Sequence, residues 1–225
     1  VFLTQTSNPT AQLRIGQGVV VETSRITQSG DANQERSFTF VKPRLVATWT
    51  PSPREQVRLR LERDVAQLDF NEFASAVSLF DGTVDLGNPN LEPERTWRAQ
   101  LDWERRFGAK AVLTLSAFYE RVEAVQDQIP VRSQFDAPGN LGDGWRAGGR
   151  IDALLPLDSV GLPRGELRLR GLAQDTRVDD PLTGQPRRFA GETHWSYSID
   201  LRQPLPNQNL AWGALWERAD EVEVF

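Results

Sequence analysis

The stretch GNPNLEPERTWRAQLDWERRFG, Gly87 to Gly108, decides how the rest of the chain is read. It opens on turn formers, then sets Trp97, Ala99, Leu101, Trp103 and Phe107 against Thr96, Arg98, Gln100, Asp102, Glu104 and Arg106. Ala, Gln, Leu, Glu and Arg are good helix formers, and Trp97 and Leu101 stand four apart. On a helix, however, Trp103 and Phe107 fall far round from Trp97, whereas on a strand all five apolar residues share one side. The stretch is predicted to be a strand with one apolar face and one charged face.

Its neighbours repeat the pattern. In AKAVLTLSAFYERVEAV, Ala111, Leu113, Leu115, Ala117 and Tyr119 alternate with Val112, Thr114, Ser116, Phe118 and Glu120, and Phe107 to Lys110 between the two segments is hairpin-sized. Val57, Leu59 and Leu61 alternate with Arg58, Arg60, Glu62 and Asp64; Leu167 and Leu169 alternate with Arg168 and Arg170. Period 2 places strands near 11–22, 37–50, 56–69, 96–107, 110–122, 144–157, 166–178, 189–204 and 209–217. These are about 9 to 16 residues long, where soluble strands average about 5 to 6 and a strand tilted through a bilayer needs about 9 to 11.

The connections alternate long and short. TSRITQSGDANQER precedes SPREQ, Asn71 to Arg95 precedes the Gly108 turn, Glu123 to Asp143 precedes DSVGLPRGE, and DDPLTGQPRR precedes PNQN. Turns on one side and long loops on the other predict an all-β, antiparallel, up-and-down transmembrane barrel, with periplasmic turns and extracellular loops. The competing fold is a soluble β-sandwich, which predicts no such alternation. Aromatics point the same way: Trp49, Phe107 and Trp212 fall near short turns, and Phe40, Phe70, Trp97, Tyr119, Trp145 and Trp216 nearer long loops, as two interfacial girdles would. Trp103 belongs to the same apolar face.

Composition narrows the function. No run of about 18 apolar residues exists, which excludes a transmembrane helix. The start VFLTQTSNPTAQ lacks the basic and apolar regions of a signal peptide, and the chain has 0 Met, so a processed or internal piece is expected. With 0 Cys there is no thiolate nucleophile or disulfide, and a net charge of -5 offers no basic field for nucleic acid.

The sequences LGNPNLEPERTWRAQLDWERRFG and AVLTLSAFYERVEAVQDQIP, with Pro43–Val65, Gly139–Asp158, Asp175–Pro206 and the final AWGALWE, resemble the barrel of TonB-dependent outer-membrane receptors. In that family a loop ends in an NPxLxPE-type turn and the next strand descends. The resemblance implies a 22-stranded barrel around an N-terminal plug, taking up iron chelates (siderophores), cobalamin or carbohydrates across the outer membrane of a Gram-negative bacterium. Energy would come from the TonB complex through the plug. About nine strands cannot close such a wall, and ADEVEVF places Glu221 and Glu223 where a final membrane strand would be apolar. Residues 1–225 are therefore expected to be a partial barrel domain with the plug outside this chain.

No enzyme motif is present: neither GxSxG nor HExxH occurs, and the single histidine, His194, is read as a lumen-facing polar residue. Asp179 with Asp180, and Glu92 with Glu94, are read as solvated loop acids, and the glycine-dense GNLGDGWRAGG as turn and bulge rather than a phosphate loop. No metal or cofactor is expected. Arg58, Arg60, Glu62, Asp64, Arg98, Asp102, Glu104, Arg168 and Arg170 are expected to line a wet lumen, holding a plug or passing a polar ligand. Phe73–Leu91 and Gln126–Asn140 are expected to face the ligand from outside. A soluble or surface-exposed binding module, and a small passive pore or adhesin, are the alternatives.

Overall fold

The computed structural model describes residues 1–28, 34–68, 76–78, 83–85, 87–88, 90–108, 110–131, 135–205 and 209–222. Its strands are β1 (Phe2–Thr10), β2 (Leu13–Gln28), β3 (Gln34–Ser52), β4 (Glu55–Val65), β5 (Ala76–Ser78), β6 (Thr83–Asp85), β7 (Arg95–Phe107), β8 (Ala111–Val131), β9 (Phe135–Pro156), β10 (Glu166–Asp179), β11 (Pro186–Arg187), β12 (Trp195–Leu205) and β13 (Leu210–Ala219). One 11-stranded sheet runs β1-β2-β3-β4-β7-β8-β9-β10-β12-β13, with β11 attached to β10; β5 and β6 pair apart from it. Every neighbour on that path is antiparallel and next in line, which is the up-and-down order expected. The sheet does not close: β1 and β13 are its two edges.

Short connections at 11–12, 53–54, 108–110, 157–165 and 206–209 all lie at one end of the strands. Gly108 takes φ 64 at the β7–β8 turn, a left-handed conformation that costs glycine nothing. At the opposite end lie the connections between β2 and β3, β4 and β7, β8 and β9, and β10 and β12.

Several expectations are corrected. The segment Phe2–Thr10 is a strand, paired to β2 from Phe2↔Val20 to Thr10↔Leu13, although FLTQTSNPT has little apolar alternation. The stretch from Thr23 to Arg36 is not a long loop, because β2 runs to Gln28 and β3 begins at Gln34. Nor is 123–143: β8 and β9 continue past the sheet body as a paired hairpin out to Val131↔Phe135, which replaces the expected ligand-facing loop at 126–140. The strand expected from 189 begins at Trp195, and the one expected to 69 ends at Val65. Of the other expected ligand-facing loop, 73–91, residues 73–75, 79–82, 86 and 89 lie outside the described residues, as does Phe70.

The buried core is small. It gathers Val122, Val125, Leu141, Val178 and Phe189 at the long-connection end, with Ile129 packed against it. Among the described residues the sheet has no second layer on its apolar face.

Candidate functional site

Cross-strand register sorts the side chains onto two faces. One row reads Trp49–Val57–Trp103–Leu115–Ile151–Gly171–Tyr197, and another reads Arg63–Trp97–Arg121–Trp145–Arg177. Following the even spacing along each strand, all 7 Trp and both Tyr fall on this face. Many of its large apolar groups are open: Trp49 is 49% exposed, Leu101 48%, Leu115 40%, Tyr119 52%, Ile151 41% and Trp212 47%. Trp49, Trp97, Trp103, Phe107, Tyr119, Trp145 and Trp212, the aromatics singled out in the sequence, all lie here; Phe40, opposite Glu22, is on the other face and is corrected.

The second face carries the ions. Arg58, Arg60, Glu62, Asp64, Arg98, Asp102 and Glu104 stand side by side across β4 and β7, while Arg168 and Arg170 share the same face on β10. What the sequence pattern does not disclose is how some of them connect. Arg44 Nε meets Glu62 at 3.3 Å, Glu62 meets Arg98 at 3.7 Å, and Arg98 Nε donates to Glu120 at 2.6 Å. Arg146 Nη1 donates to the other Glu120 oxygen at 2.6 Å, and its Nη2 to Glu192. Gln174 closes the chain by donating to Glu192 at 3.2 Å.

The result is an alternating ladder, Arg44–Glu62–Arg98–Glu120–Arg146–Glu192, spanning β3, β4, β7, β8, β9 and the β10–β12 connection. Glu120 is its keystone. At 2% exposure it has no water to solvate its charge, and two guanidinium groups replace that solvent.

Nearer the short turns the face is less self-contained. Arg58 donates to Gln56 at 2.7 Å, Gln100 donates to Asp102 at 2.7 Å, Glu104 pairs with Arg106 at 2.8 Å, and Arg170 reaches Asp152 at 3.6 Å. Arg60 and Arg168 make no ion pair among the described residues. Asp64 is held by Lys42 at 2.9 Å.

At the long-connection end, loops are tied onto the strands. Leu91 of the NPNLEPE turn is 0% exposed. Asn140 accepts from the Glu92 N–H at 2.8 Å and donates to the carbonyls of Glu92 and Ala124, each at 2.9 Å. Glu94 accepts from the Gln126 N–H at 2.7 Å, and Arg36 donates to the Leu91 carbonyl at 3.2 Å. On the other flank, the Phe189 N–H donates to Thr176 Oγ1 at 3.0 Å and Arg187 pairs with Asp127 at 2.7 Å and Asp180 at 3.1 Å. Asp180 also accepts from the backbone N–H groups of Thr183 and Leu182, which hold its carboxyl below the usual range.

His194 is 6% exposed, and neither ring nitrogen has a hydrogen-bond partner among the described residues. It is thus buried rather than open to the polar face, with its own N–H donated to the Asp220 carboxylate at 3.0 Å. Among the described residues no three His, Asp or Glu side chains group as metal ligands.

This architecture has known counterparts. A family model described as TonB dependent receptor-like, beta-barrel, matches residues 1–219. No curated protein sequence matches. Among solved structures, the copper transporter OprC is 14% identical with a TM-score of 0.75, covering 96% of this chain and 33% of that one. The ferric yersiniabactin uptake receptor FyuA from Yersinia pestis is 15% identical with a TM-score of 0.67, covering 96% and 32%. The FrpB iron transporter from Neisseria meningitidis is 10% identical with a TM-score of 0.66, covering 94% and 31%. The chain therefore spans about a third of the length of the structures it matches. An open, consecutively paired antiparallel wall with all its tryptophans on one face, matched from end to end by that family model, belongs to the β-barrel of the TonB-dependent receptors, transport and receptor proteins of the Gram-negative outer membrane.

Proposed function

We propose that residues 1–225 form part of the barrel wall of a receptor that imports a scarce ligand of the siderophore, cobalamin or carbohydrate class, without chemistry on the ligand. In this reading the tryptophan face meets lipid and the ion-pair face lines the lumen. A plug domain from elsewhere in the protein sits against that lumen face and passes on energy from the TonB complex. Arg58, Arg60, Asp102, Arg168 and Arg170, which the ladder leaves out, are the groups available to plug or ligand.

The observation that carries this is the segregation of all 7 Trp to the face opposite the ladder, where Trp49, Trp97, Trp195, Trp212 and Trp216 stay exposed and none enters the buried core. A soluble sheet would cover such a face with a second layer, because exposed apolar patches of that extent are costly in water. Its dimension also fits. From Trp97 to Phe107 a strand advances roughly 33 Å, which at the usual tilt of about 40° gives an apolar band of about 25 Å.

The test is tryptophan fluorescence of the full-length receptor in vesicles containing brominated lipids. Strong quenching by bromines placed along the acyl chains, with little quenching by acrylamide in water, is expected. Accessibility to acrylamide with no effect of bromine would remove the membrane wall from consideration.

A further inference from the structure

At its turn end the ladder face differs from one flank of the sheet to the other. On β7, β9 and β10 acids stand among the bases: Glu104 pairs with Arg106 at 2.8 Å, and Arg170 reaches Asp152 at 3.6 Å. On β2 to β4 the rows Arg14–Thr48–Arg58 and Gly16–Val46–Arg60 contain no acid. Here the face sinks into an open recess of about 770 Å³, whose lining includes Thr6, Asn8, Arg14, Thr48, Thr50 and Arg58 and, among the described residues, no acidic side chain. Small-molecule sites span about 300 to 1,000 Å³. The floor is bare backbone at Gly16, where a Cβ would stand 4.0 Å from Thr6 Oγ1 and from the Val46 carbonyl.

The arginines of this recess are unspent. Asp102 is the register neighbour of Arg58, yet it accepts from Gln100 at 2.7 Å, while Arg58 Nη2 turns to Gln56 at 2.7 Å, a residue of the recess lining. Arg14 makes no ion pair among the described residues. In the next row the Arg60 Nε is buried without a hydrogen-bond partner among them.

We propose that this recess binds the phosphate, sulfonate or carboxylate group of a small solute at the turn end of the lumen. The inference rests on the ladder face lining that lumen. A cleft lined by one sign of charge concentrates its counter-ions, and a guanidinium offers an oxyanion two parallel N–H donors. Thr48 stands in register between Arg14 and Arg58, so hydroxyl and guanidinium donors converge on one spot. Neutral hydroxyl and amide groups make up the rest of the polar lining, which lets the anion be attracted and still leave. The competing occupant is an acidic side chain of the plug, which would close the recess to solutes.

The experiment uses the full-length receptor in lipid vesicles with Thr48→Cys as a reporter thiol. It is labelled with a sulfonate-bearing and with a neutral methanethiosulfonate, each rate divided by that for a free thiol in solution. The ratio of the two cancels any change in the thiol itself. A unit charge close by in water-like surroundings shifts local anion concentration about three-fold. The anionic reagent is therefore expected to react about ten-fold faster than the neutral one, falling to about three-fold with Arg58→Gln and to parity with Arg14→Gln and Arg58→Gln together. Arg58→Lys should keep the preference. Ser198→Cys, between Arg170 and Glu217 in register, should show none. Millimolar inorganic phosphate should slow labelling of Thr48→Cys relative to chloride of equal ionic strength, and Gly16→Leu, which fills the floor, should remove that protection. Heat-dependent electrophoretic mobility checks that each variant is folded. Equal rates for the two reagents overturn the proposal, as does a preference that survives the double variant. No labelling by either reagent overturns it in favour of a seated plug. Brominated-lipid quenching of the same samples separates the two layers of argument: quenching with charge-blind labelling sinks this inference alone, and absence of quenching sinks the lumen reading as well.

Discussion

Leu115 offers a sharp test of which solvent the tryptophan face meets. It is 40% exposed and stands midway along the β8 face, between Ala111 near the short turn and Tyr119 near the upper rim. Its row neighbours are Trp103 and Ile151, so no acid is at hand for an introduced cation. If this depth is the bilayer midplane, Leu115→Arg costs about 2 to 4 kcal/mol, or roughly 30- to 900-fold in the folded-to-unfolded ratio. On a water-exposed sheet the same change stays within about 0.5 kcal/mol. Thr114 is the internal control: on the other face it sits between Glu104 and Asp152, which would pair with a new arginine, so Thr114→Arg should cost close to nothing. Denaturant unfolding of the full-length receptor in lipid vesicles, followed by tryptophan emission, reads both. Similar small costs at the two positions would refute the membrane wall.

Other consequences of the geometry can be checked alongside. Glu120→Ala strands Arg98 and Arg146 without their shared acceptor and should destabilise by about 1 to 3 kcal/mol, with Glu120→Gln milder, as read by thermal unfolding. Ala124 holds φ 59, so Ala124→Val should cost about 1 to 3 kcal/mol in the same assay whereas Ala124→Gly should be near neutral. Phe189→Ala empties the centre of the small upper core and should release the β10–β12 connection, seen as faster proteolysis between residues 180 and 194. The depressed carboxyl of Asp180 stabilises its turn fully above the ordinary aspartate value of about 3.9 and loses that contribution as pH falls through the depressed value. Pepsin digestion at decreasing pH should therefore open this connection in wild type, and Asp180→Asn should remove the pH dependence.

The period-2 pattern was enough to place strands and assign faces because each wall residue meets one of two different solvents, and that difference is written locally at every second position. It failed where the difference vanishes. In β1, Thr4 and Thr6 alternate with Gln5 and Ser7, polar on both sides, and only pairing with β2 makes the segment a strand. The hairpin beyond Val122 was hidden by Pro130, Pro138, Gly139 and Gly142, residues that mark loops in isolation. The ladder was half legible. Glu62 and Arg98 belong to one alternating pattern, but their coupling to Glu120, Arg146 and Glu192 depends on register across strands and on a returning loop, neither of which leaves a local trace.

At the bulge of Ala124 and Gly142 that hairpin begins to obey different rules. Pairing shifts there, from Val122↔Gly144 to Val125↔Gly142, with φ 113 at Gly142. Below it, on β8, Leu113, Leu115, Ala117 and Tyr119 point to the tryptophan face, and Thr114, Ser116 and Glu120, with Val112 and Phe118, to the ladder face. At and above it the arrangement inverts: Val122, Val125, Leu141 and Val178 gather around Phe189 on the ladder side, while Arg121, Glu123 and Asp143 stand on the tryptophan side. A wall leaving lipid loses the solvent that made an outward apolar face favourable, and the projecting strands must bury their apolar groups against protein instead. The NPNLEPE turn and the 187–189 segment supply that protein, through Leu91 and Phe189. A second shift, from Val125↔Gly142 to Gln126↔Asn140, cancels the first, so the hairpin keeps its register out to Val131↔Phe135 and it is the sequence on either side that changes face.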